Sequence, residues 1–79
     1  MPIELKSSSV TVAEEIRAEM ARQKISVNAL AECIGMPIST LRRSINGSRP
    51  FGVDEVFKVT QALNVSATSI IQRAEKLAS

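Results

Sequence analysis

The sequence predicts an all-α fold, a compact five-helix bundle, and three observations carry that expectation. Apolar residues recur at spacings of three and four in five stretches, with only Ile3 and Leu5 alternating as a strand would. Capping and breaking residues bracket the stretches: Thr11, Ser26, Pro37 and Ser66 at starts, Gly35, Asn46-Gly47 and Asn64 at ends. The 79 residues are 44% hydrophobic, which fits one globular domain whose small core depends on tight helix packing.

Residues 1–10 show no helical pattern and are expected to be a flexible N-terminal segment, with the ordered domain spanning 11–79. A short strand, or an arm reaching a nucleic acid through Lys6, are the alternatives there. Thr11 and Glu14 match a capping box, so the first helix is expected from Thr11 to about Lys24, with Val12, Ala13, Ile16 and Met20 as its stripe. Its acids, Glu14, Glu15 and Glu19, lie towards its start and Arg22 and Lys24 at its end, as the helix dipole prefers.

The stretch Ser26–Gly47 reads as two short helices joined by a tight turn. Ser26 is placed to cap the first, and Val27, Leu30, Ala31 and Ile34 share one face of it. Gly35 ends it, Pro37 starts the next, and Asn46-Gly47 closes that one. Leu41 and Ile45 share one side of the second helix, which turns Ser39, Arg42 and Arg43 towards solvent or a partner. No acidic residue lies between Cys33 and Val53, while three arginines do: Arg42, Arg43 and Arg49. Such a helix suits a polyanion and fits the major groove of B-DNA. Ser48 to Gly52 is a loop by composition, where Arg49 is expected to hold a phosphate; a solvated loop arginine is the alternative.

The fourth helix is expected over Val53–Leu63. Val53, Val56, Phe57, Thr60 and Leu63 form its inner face, with Phe57 as the core anchor. Asn64 ends it, and Ser66 caps a fifth helix to about Leu77, with Ile70, Ile71, Ala74 and Leu77 as its stripe.

Composition excludes several classes. There is no histidine, no glycine-rich phosphate loop and no inward carboxylate pair, so neither an enzyme nor a cofactor is expected. Cys33 is alone, which rules out an intrachain disulfide or a zinc cluster, and it reads as a small buried hydrophobe. Two phenylalanines are too few for a surface that stacks unpaired bases. Net charge is only +2, so the positive charge matters because it is local. No apolar run reaches membrane-spanning length and no signal-peptide pattern is visible, so a cytoplasmic location is expected.

Ile16 to Ile71 resembles the lambda-repressor-like, or Cro-type (XRE), helix-turn-helix domain. The features that carry the resemblance are Leu30-Ala31 and Gly35, Leu41, Asn46-Gly47, and Ala62-Leu63-Asn64-Val65-Ser66. It implies five helices and sequence-specific binding of double-stranded DNA, as in phage or prophage repressors that act by occupying an operator. By the same resemblance, bases are read from Ile38, Ser39 and Arg43, with Arg42 at the edge of that face. Ser26 and Asn46 match positions that hold the DNA backbone, and Asn28 and Thr40 are further candidates. The resemblance also implies pairing on DNA, with two copies on a roughly palindromic site; the stripe of the fifth helix spans only about 120° and leaves little surplus apolar area, so a monomer or weak homodimer is expected when free. The fifth helix is the expected contact surface. An antitoxin or protein-interaction module of the same fold is the rival reading.

The chain departs from that family's pattern in three respects. Val27 stands where glutamine is frequent. Pro37 replaces a serine or threonine cap. Ser44 lies where an apolar residue is usual, and Ile45 where glutamate is frequent, opposite an arginine position filled here by Met20. An apolar Met20–Ile45 pair is thus expected in place of a buried ion pair, a swap that is often neutral or stabilising.

Overall fold

The structure, a computed structural model, describes the backbone of residues 4–78 and the side chains of residues 12–76. Five helices follow in order: α1 Glu4–Gln23, α2 Val27–Ile34, α3 Ile38–Ile45, α4 Val53–Ala62 and α5 Ala67–Ala78. No strand occurs among the described residues. α1 lies along α5 and also touches α3, α2 packs on α3 and α4, and α4 returns to α5.

The first helix begins at Glu4, not at Thr11. No glycine or proline interrupts residues 3–34, and extending an existing helix backwards avoids the cost of nucleation. The Thr11–Glu14 pattern therefore sits inside a helix.

One core joins all five elements: Ile16 and Met20 of α1, Leu30 and Ala31 of α2, Leu41 and Ile45 of α3, Val59 of α4 with Leu63 just after it, and Ile70 of α5. Full burial of each large aliphatic chain contributes about 2 kcal/mol, so no single one dominates. Met20 and Ile45 are each 6% exposed and belong to this one cluster, as the apolar pair requires.

The helix ends explain why the turns are tight. Four helices close with paired bonds around a left-handed residue. At the end of α3, Gly47 (φ 88°) donates to the Ser44 carbonyl at 3.3 Å and Ser48 to that of Arg43 at 3.0 Å. The same closure places Asn64 (φ 60°) after α4 and Lys24 (φ 57°) after α1. Two side chains of α1 reach across to other helix ends. Arg17 Nη1 donates to the Ile45 carbonyl at 2.6 Å, and Gln23 Nε2 to the Leu63 carbonyl at 2.6 Å. Both acceptors are end-of-helix carbonyls, which otherwise lack partners.

Three expectations are corrected. Phe57 is not the core anchor: it is 56% exposed. Val53 is also exposed, and Val59 is fully buried in their stead. At about 100° per residue, Phe57 lies about 160° from Val59, so an arc centred on Val56, Val59, Thr60 and Leu63 leaves it outside. Thr60 fits that arc because its hydroxyl donates to the Val56 carbonyl at 2.8 Å. The aromatic packed against the core is Phe51, from the loop before α4. Cys33 is exposed rather than buried, because Val27, Leu30, Ala31 and Ile34 already fill the inner arc of α2.

Candidate nucleic-acid interface

α2 and α3 form a helix-turn-helix. Gly35, in the left-handed conformation at φ 71°, ends α2, and its N–H and that of Met36 both donate to the Ala31 carbonyl. Pro37 then occupies the cap position of α3 without any side-chain cap bond, so no cap side chain satisfies the first N–H groups of α3.

Burial of Leu41, Ser44 and Ile45 fixes how α3 is turned. Ser39, Arg42 and Arg43 consequently stand exposed, and among the described residues none of their side chains has a hydrogen bond or ion pair. Ile38 is half-buried and packs against the core, which leaves only its outer edge for a partner. Thr40 is half-exposed and Asn28 exposed.

Two of the expected backbone contacts carry a polarity set by the fold. Ser26 Oγ accepts the Ala29 N–H at 3.1 Å as the cap of α2, so the proton of its hydroxyl points elsewhere. Asn46 Oδ1 accepts the Ser48 N–H at 3.0 Å, which orients the amide and leaves its NH₂ free to donate. With their oxygens occupied, both side chains present donors outward, and a phosphate oxygen is an acceptor.

Arg49 is placed differently from Arg42 and Arg43. Its guanidinium meets Glu55 through two bonds, at 2.9 and 2.8 Å, and Nη1 also donates to the buried Ser44 hydroxyl at 2.6 Å. Glu55 in turn accepts the Gly52 N–H at 2.8 Å. The Arg49 guanidinium and the Gly52 N–H hold the Glu55 carboxyl below the usual carboxylate range. The set ties the end of α3, the loop and the start of α4 into one unit. Glu55 and Ser44 were not legible as its partners: a lone glutamate in a helix's first turn reads as dipole complement, and Ser44 as a departure from an apolar pattern.

A second polar set lies on α1. Glu19 accepts from Arg22 at 2.7 Å and from Gln23 at 2.9 Å, and these bonds, that of Arg22 first, lower its carboxyl below the usual range. It braces Gln23 against the end of α4.

Five helices that include a helix-turn-helix, whose second helix carries a basic face unpaired among the described residues, define a small DNA-binding domain. Residues 7–79 match the BetR domain, a helix-turn-helix DNA-binding domain found in proteobacterial regulators, and the chain belongs to that family. Its partner is accordingly DNA, and its role that of a non-enzymatic, DNA-binding transcriptional regulator. No curated protein and no solved structure gives a significant match. Among the described residues, no helix is long and apolar enough to cross a membrane.

Proposed function

We propose that the chain is a sequence-specific repressor of the Cro type, which acts in the bacterial cytoplasm by occupying an operator in double-stranded DNA. The observation that carries this reading is the outer face of α3, where Ser39, Arg42 and Arg43 are exposed and free of partners among the described residues. With α3 in the major groove, Arg43 donates two bonds to guanine O6 and N7, Ser39 and Arg42 reach neighbouring base edges, and the rim of Ile38 meets a thymine methyl. Ser26 and Asn46 donate to phosphates on either side, with Asn28 and Thr40 beside them, and the uncapped N–H groups of α3 add to that grip. Arg49, its charge balanced by Glu55, sets the loop, and the guanidinium hydrogens that the pair does not use are left for a phosphate.

One recognition helix covers too few base pairs to discriminate against a genome. The reading therefore includes a monomer or weak dimer in solution and two copies on a roughly palindromic site.

Selection of bound sites from random duplex DNA tests the reading. A defined, roughly palindromic consensus is expected. Arg43→Ala should then cost about 1–3 kcal/mol on the selected site and relax preference at one base pair. If that variant bound selected and random duplexes with an unchanged ratio, Arg43 would be a phosphate contact and the base-reading role would fall.

A further inference from the structure

The two most exposed large apolar side chains among the described residues lie one turn apart on α4: Val53, 73% exposed, and Phe57, 56% exposed. The core does not use them, since α4 buries Val56, Val59 and Thr60. On one flank of this pair stand Asp54 and Lys58, also one turn apart and exposed, and among the described residues neither forms an ion pair. By contrast, among the described residues of the expected contact helix α5, the one exposed large aliphatic chain is Ile71, at 41%.

We propose that the Val53–Phe57 face of α4 is the surface on which a second copy of this chain docks when both are bound to DNA. The inference rests on the two-copy reading above and names its surface. The charges decide the occupant. When a helix packs antiparallel against its own copy about a two-fold axis level with Val56, each flank meets the same flank of its partner in reverse order. Asp54 of each copy then faces Lys58 of the other, and the two Phe57 rings meet near the axis. The patch is thus its own complement, which is what a two-fold contact between identical chains requires.

Its size sets its strength. Val53 and Phe57 together offer on the order of 200 Å² of apolar surface per copy, against about 800 Å² per partner in a stable complex. Such a contact does not hold a dimer at ordinary concentration. It does act between neighbours already held on one duplex, where effective concentration is high.

The test reads cooperativity: binding of the second copy relative to the first, on a duplex obtained by the selection described above. All substituted positions are exposed, and circular dichroism checks that each variant folds. Phe57→Ser, Asp54→Lys and Lys58→Asp should each lower cooperativity, the charge changes by roughly tenfold because each turns two attractive pairs into two repulsive ones. The double variant Asp54→Lys/Lys58→Asp restores both pairs and should recover cooperativity to within about threefold of the native protein. Two copies that bind with cooperativity untouched by these changes would overturn the α4 contact, and a loss on Ile71→Ser alone would move it to α5. One copy at saturation would instead defeat the two-copy reading itself, and this inference with it.

Discussion

Ile45→Glu probes the two apolar chains, Met20 and Ile45, that α1 and α3 bring into one core. Ile45 and Met20 are each 6% exposed and sit in a cluster with Leu41 and Leu30. The change removes an aliphatic side chain worth about 2–3 kcal/mol of burial and puts a carboxyl in its place. Arg17 reaches this helix end, but its guanidinium is already engaged with the Ile45 carbonyl at 2.6 Å. A carboxylate at this site must therefore remain unpaired or take up a proton, and the total cost comes to about 3–5 kcal/mol. A domain of this length commands about 4–12 kcal/mol in all, so the variant should be close to unfolding. Urea titration followed by circular dichroism measures it. The penalty carries a pH signature. A buried carboxyl has a folded pKa raised above its unfolded value of about 4.3, so the unfolded chain ionises first and the gap to the native protein widens as pH rises above that value. Adding Met20→Arg should recover at least about 1 kcal/mol in a double-mutant cycle. A cost under about 1 kcal/mol, or a gap constant between pH 4 and 7, would show that position 45 does not face Met20 in a closed core.

Two further outcomes follow from the helix ends and the loop. Lys24 is exposed and holds φ at 57°, so Lys24→Gly should stabilise the domain by about 0.5–1 kcal/mol, the relief of left-handed strain exceeding the added chain entropy of glycine; urea midpoints check it. Glu55 has a folded pKa below its unfolded one, so its contribution is fully present above the unfolded value and is lost as pH falls through the lowered folded value. Acid titration of Glu55→Gln should accordingly show a shallower loss of stability than the native protein below about pH 5, and an unchanged acid profile would mean that the Arg49–Glu55 pair does not form in solution.

Helix existence was legible because it depends on local chemistry. Ser26, Gly35, Asn46-Gly47, Asn64 and Ser66 act through bonds within a few residues of themselves, and each lies at the helix end its type implied. The exposed face of α3 was legible for a similar reason, since Leu41 and Ile45 left no other orientation. What failed depended on distant neighbours. Phe57 and Val59 are both apolar, and only the direction from which α2 and α5 approach decides which is covered. Cys33 lies one step beyond an arc that four other residues fill. The start of α1 was misplaced because a capping pattern acts only where the preceding chain is not already helical. The Arg49–Glu55–Ser44 set joins three segments, and no spacing rule announces it.

The caps on Ser26 and Asn46 bear on how a mutational survey of this surface should be interpreted. Each side chain holds a helix end with its oxygen while turning a donor outward. Alanine at either position deletes both at once, so weaker DNA retention and a looser fold arrive together. Loss of binding at these two sites is therefore not a measure of contact, whereas at Ser39, Arg42 and Arg43, which support nothing else among the described residues, it is. The recognition surface has two kinds of position: some whose chemistry can be exchanged freely to alter preference, and some whose identity the scaffold has already claimed.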